Sequence, residues 1–174
     1  MRIARTLTAT ATTAALITGA TVLGASTASA ASYRCTTSTK SIDHPGYTIN
    51  DNFNFSVKTC AKREGGYIYA KAYVSVDGPW GFAGQSSVHD ARALIQVKRS
   101  VSGPDPVSKS AYGTGLGSKL NNLDAYGNTS YTSPTVKHKA AAGSRYLGDS
   151  VVQIDWKNDG KGRISYSFSA SPTV

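Results

Sequence analysis

The sequence predicts an all-β fold, a small antiparallel β-sandwich or open barrel with one disulfide, preceded by a cleaved signal peptide. Three observations carry that expectation. Several segments after residue 31 alternate apolar and polar residues with period two, as a half-buried strand does. Stretches rich in Gly, Asn and Asp separate these segments where turns are needed. Patterns of helical period are nearly absent from residues 31–174.

The first thirty residues read as an export signal. Arg2 and Arg5 make a short positive start, residues 6–25 carry no charge, and the apolar centre runs over residues 14–23. Ala28-Ser29-Ala30 then supplies a small-x-small cleavage site, with Ala31 as the first mature residue. Thr and Gly dilute the segment too far for a membrane span, which needs roughly 20 strongly apolar residues. No second apolar run of membrane length follows. The expected product is a secreted, extracellular single domain over residues 31–174. Cys35 and Cys60 are the two cysteines, and in an oxidising compartment they are expected to pair. The bond would tie an N-terminal strand to the end of the strand that holds Phe53.

The strands follow in order. Phe53, Phe55 and Val57 share one face against Asn54, Ser56 and Lys58. Residues 67–76 form the clearest strand, with Ile68, Ala70, Ala72, Val74 and Val76 opposite Tyr67, Tyr69, Lys71, Tyr73 and Ser75. The intervening 62–66, Lys-Arg-Glu-Gly-Gly, reads as the hairpin turn. Ala91, Ala93, Ile95 and Val97 oppose Arg92, Leu94, Gln96 and Lys98. A further strand is expected over residues 135–140. The C-terminus supplies a hairpin: Val152, Ile154 and Trp156, then Ile164, Tyr166 and Phe168, with Asp159-Gly160-Lys161-Gly162 between them providing positive-φ positions. Two stretches read as loops. Residues 77–85 carry Trp80 and Phe82. Residues 100–134 are rich in Gly, Ser, Asn and Pro, with room for one or two short strands, for instance around 108–112.

Charge and motifs bound the chemistry. The full chain carries a formal charge of +9. Its basic residues are dispersed, which serves solubility and also attracts anionic partners. No basic-aromatic nucleic-acid motif is present, so nucleic acid is not an expected partner. No G-x-S-x-G elbow and no H-E-x-x-H appear. His44, His89 and His138 read as exposed loop residues rather than triad members. Nine aspartates and Glu64 select no glycosidase pair, and Lys157 spoils the faint calcium-loop pattern that begins at Asp155. No metal, cofactor or catalytic residue is assigned.

The aromatic placement points to binding. Tyr67, Tyr69 and Tyr73 fall on the polar face of their strand, and Trp80 and Phe82 follow directly. These five residues are the candidate ligand-binding strip, spanning enough length for a polymer. Flat rings flanked by polar groups suit sugars. The alternatives for the same residues are a protein contact surface, where Tyr and Trp concentrate, and a cap over a strand covered on both faces. The leading expectation is therefore a non-enzymatic binding domain for a polysaccharide or cell-wall polymer. The rivals are a protein-binding protein such as a protease inhibitor, presenting the Ser102-Gly103-Pro104-Asp105-Pro106 loop, and a small extracellular hydrolase.

Overall fold

The computed structural model describes residues 31–45, 52–79, 87–157 and 159–174. The expected signal peptide, and Trp80 and Phe82 of the candidate strip, lie outside the described residues. Within them the chain forms β1 (Arg34–Asp43), β2 (Asn52–Glu64), β3 (Tyr67–Asp77), β4 (Val88–Arg99), β5 (Val107–Gly113), α1 (Leu116–Leu120), β6 (Asn128–Thr132), β7 (Val136–Lys139), β8 (Tyr146–Trp156) and β9 (Arg163–Ser167). All strand pairs are antiparallel. The first sheet runs β1-β2-β3, and β6 and β7 share the far edge of β3; the second runs β5-β4-β8-β9.

Alternation turns one face of each sheet inward. Phe53, Phe55 and Val57 of β2, Ile68 to Val76 on the even positions of β3, Ala91 to Val97 on the odd positions of β4, and Val152, Ile154 and Trp156 of β8 are all buried in one cluster. The result is the sandwich arrangement of two layers around one core. Thr59 on β2 and Ser150 on β8 are the polar link between the layers, with Oγ1 and Oγ 2.6 Å apart and both residues fully buried. Thr59→Val strands the Ser150 hydroxyl in the core. It is expected to cost about 1–3 kcal/mol, and adding Ser150→Ala should recover part of that loss in urea unfolding. A double variant less stable than the single would contradict the account.

The layers close on each other at two places. Gly148 of β8 sits where a Cβ would meet the Ala70 side chain at 3.1 Å and the Cys60 carbonyl at 3.1 Å, so a side chain there would push the sheets apart by a few tenths of an ångström. The C-terminal tail continues along β8, with Val174 and Tyr146 exchanging backbone hydrogen bonds at 2.8 and 3.1 Å. It also reaches the edge strand β1: Arg34 donates to the Thr173 carbonyl, and the Ser169 amide donates to Ser38 Oγ.

Three expectations are corrected. The turn expected at residues 62–66 is only Gly65 and Gly66, at φ +55° and +77°, because β2 continues through Glu64. The stretch expected as a loop over residues 100–134 holds β5, α1 and β6. Asn121, just after α1, clamps Val88 by accepting from its amide and donating to its carbonyl, both at 3.0 Å. His44 is not exposed: it is 3% accessible, with its ring 4.9 Å from Trp156. Where β6 passes to β7, the Ser133 hydroxyl accepts from the Ala72 amide and so fills the gap in the ladder. The C-terminal hairpin is as expected, with Gly160 and Gly162 at φ +65° and +67°. However, β8 begins at Tyr146, five residues before its alternating stretch becomes evident. Among the described residues no helix is long and apolar enough to cross a membrane.

Candidate functional site

The outer face of the first sheet is set by register. On β3 the odd positions 67 to 77 point away from the core, because the even ones are buried. Their cross-strand partners share that face: Glu64 opposite Tyr67, Lys62 opposite Tyr69, Cys60 opposite Lys71 and Lys58 opposite Tyr73 on β2, with Lys139 and Lys137 opposite Tyr67 and Tyr69 on β7. Cys35 lies directly opposite Cys60 and is bonded to it, with Cα atoms 4.1 Å apart. The disulfide therefore lies on the outer side of the sheet by register, with Cys60 itself buried at 1% accessibility.

The three expected tyrosines are brought together, and a fourth joins them. Tyr67, Tyr69 and Tyr73 are each half-buried. Lysine ammonium groups lie over their rings: Lys137 at 4.1 Å from the Tyr67 centroid, Lys71 at 4.9 Å from Tyr73, and Lys62 at 5.3 Å from Tyr69. Tyr33, ahead of β1, was not singled out in the sequence; its ring takes Lys71 at 4.3 Å and Lys62 at 5.3 Å. A ring face attracts a cation through its quadrupole. The ring faces are thus occupied by ammonium groups.

Charge is unevenly shared between the two outer faces. Lys62 is paired with Glu64 at 2.7 Å, and that hydrogen bond raises the Lys62 pKa against the opposing effect of desolvation. Lys58, Lys71, Lys137 and Lys139 have no carboxylate partner among the described residues. On the second sheet two cations are matched by carboxylates, while Arg99 and Lys109 have no such partner among the described residues. Arg163 pairs with Asp90, Lys98 pairs with Asp149, and Arg92 donates to Gln153 while stacking 3.9 Å from the Tyr112 centroid. The first sheet's outer face is the domain's concentrated positive surface.

The other half of that face changes character. Toward the far ends of β1, β2 and β3 the lysines and tyrosines give way to Thr39, Ser41, Asn54, Ser56, Ser75 and Asp77. A concavity of about 420 Å³ lies over this end.

Among the described residues, His44 follows β1 while His89 and His138 lie on separate strands. His44 Nε2 lies 3.1 Å from the Ser87 carbonyl oxygen, not its hydroxyl. His89 is exposed on β4, and His138 on β7 packs 5.5 Å from the Tyr146 ring. Among the described residues no group of three His, Cys, Asp or Glu converges on a metal position. The loop over residues 100–106 is ordered by Asp105, whose carboxylate accepts from the Val101 amide at 3.0 Å. No known protein family, curated protein or solved structure matches this chain.

Proposed function

We propose that this chain is an exported, non-enzymatic binding domain that holds a polysaccharide or cell-wall polymer bearing acid groups on the outer face of its first sheet. The observation that carries it is the interleaving of Lys58, Lys71, Lys137 and Lys139, free of carboxylate partners among the described residues, with Tyr33, Tyr67, Tyr69 and Tyr73. The Lys71 and Lys137 ammonium groups are held over tyrosine rings, where an acid group can reach them without displacing a competing carboxylate. The tyrosine hydroxyls supply hydrogen bonds for sugar edges. A neutral sugar stacking flat on these rings fits less well, because the lysines cover them. A nucleic acid fits less well for the same reason, since bases need open ring faces. Export is supported by the N-terminal sequence pattern and by the Cys35–Cys60 bond, which belongs to oxidising compartments.

The test is retention of the secreted protein on immobilised polygalacturonate compared with dextran. Retention on the acidic polymer alone is expected, weakening as salt rises from about 0.05 to about 0.5 M because exposed charges are then screened. Lys71→Ala with Lys137→Ala should weaken binding roughly tenfold or more, at about 1 kcal/mol or slightly above for each exposed contact. Equal retention on dextran, or a double variant that binds as the parent does, would end the reading. A protein partner is the second reading, and the ordered, exposed 100–106 loop supports it. It takes precedence if neither polymer is retained.

A further inference from the structure

We propose that the concavity at the far end of this face is a subsite for an uncharged, hydroxyl-rich sugar unit, so that the polymer held here is mixed in charge. The inference rests on the reading of the face as glycan-binding and adds a second chemistry to it. Two rows of side chains cross this end of the face, and Thr39, Ser41, Asn54, Ser56 and Asp77 of these rows line the concavity. Thr39, Ser56 and Ser75 lie side by side across β1, β2 and β3, and Ser41, Asn54 and Asp77 form the next row. β6 extends both rows with Ser130 and Asn128.

Three features separate this floor from the lysine–tyrosine half. First, it is concave, and its volume of about 420 Å³ falls in the 300–1,000 Å³ range of small-ligand sites. Second, the side chains of Thr39, Ser41, Asn54, Ser56 and Asp77 make no hydrogen bond to protein groups among the described residues, so their donors and acceptors are free for a ligand. Third, its two charged lining residues, Asp77 and Lys40, balance each other, whereas the other half carries an excess of ammonium groups. A carboxylate accepts hydrogen bonds from two neighbouring hydroxyls at once. Asn54 both donates and accepts, and the serine and threonine hydroxyls rotate to suit either need. This set suits a neutral vicinal diol and offers an acid group no excess of positive charge, unlike the lysine half.

The separation of the two halves fits one chain of linked units. Lys58 and Asn54 are four residues apart on β2, which is about 14 Å. A polymer running along β2 from Lys62 and Lys58 toward Asn54 would meet ammonium groups first and the diol-binding floor next. That arrangement gives it a direction on the sheet.

The experiment is a chemical-shift titration of the isotope-labelled secreted protein with three probes: glucose, N-acetylglucosamine and oligogalacturonate. At least one neutral sugar is expected to move the amides of Ser41, Asn54, Ser56 and Asp77, to leave those of Lys62 and Lys71 in place, and to do so independently of salt. Asp77→Asn, an exposed and nearly isosteric change, should weaken that response at least fivefold while leaving oligogalacturonate binding unchanged. Neutral sugars that shift none of these amides, or shift them equally in Asp77→Asn, would overturn the subsite. If oligogalacturonate still moved the Lys71 and Lys137 amides, the acidic-polymer reading would stand without it. If neither class of probe moved either half, both readings would fall together.

Discussion

Trp156→Ala is expected to lower the unfolding free energy by about 3–5 kcal/mol, the largest effect of any single substitution proposed for this chain. Trp156 closes the inward row of β8 and is 1% accessible. Its ring packs 5.3 Å from Phe53 on β2 and 4.9 Å from His44, so it touches the opposite layer as well as its own sheet. Its Nε1–H donates to the Tyr166 hydroxyl at 3.3 Å. Truncation opens a void between two sheets that are pinned elsewhere by Thr59, Ser150 and Gly148, so the walls cannot collapse fully to fill it. It also leaves His44, a buried polar ring, with less apolar cover. Trp156→Phe keeps most of the ring contact and loses the hydrogen bond, and should cost about 1–2 kcal/mol. Urea unfolding followed by circular dichroism measures both. A loss below about 1 kcal/mol for the alanine variant would mean that the ring does not support the core as the packing implies.

The elements legible from sequence are those whose two faces differ. β3 alternates aliphatic and polar residues over its whole length, and the sheet buries one set and exposes the other. The β8–β9 hairpin could be read because Gly160 and Gly162 stand where positive φ is needed. β5 is an edge strand whose side chains are nearly all exposed, so it has no apolar row to announce it. α1 is five residues long, too short to display a helical period. β6 reads Asn-Thr-Ser-Tyr-Thr and buries none of its residues fully.

The site was half legible for a related reason. A strand's own alternation shows which side chains share its face, so Tyr67, Tyr69 and Tyr73 could be grouped from sequence. Their lysines come from neighbouring strands, and only the register places Lys62 and Lys137 on either side of Tyr69. Tyr33 stands outside any alternating segment. The burial of His44 depends on Trp156, 112 residues away, and nothing local in Asp43-His44-Pro45 signals it.

Replacing Cys35 and Cys60 together by Ser is expected to cost about 3–4 kcal/mol, because the bond closes a loop with a sequence separation of 25 and so restricts the unfolded chain. The folded side of the balance makes β1 the element that responds. It is an edge strand with β2 as its one neighbour, and Ile42 is its one buried residue. Its remaining ties are the β1–β2 ladder, the Arg34 bond to Thr173 and the Ser38 bond to Ser169. Near its N-terminal end the disulfide is the covalent anchor, and Tyr33 lies two residues before Cys35. Freed of the bond, that end should exchange its backbone amides faster than β2 or β3 under native conditions. Tyr33 should then lose its place against Lys62 and Lys71. The loss of stability and the loss of binding are therefore separable. At a temperature where the double variant is still fully folded, its affinity for polygalacturonate should fall by about as much as that of Tyr33→Ala in the disulfide-bonded protein. Hydrogen exchange and retention on the immobilised polymer measure the two effects. If the variant unfolds at the parent's urea midpoint, the bond does not constrain the chain as argued. If it loses stability but its β1 amides exchange no faster than those of β2, the N-terminal end is held by the ladder alone.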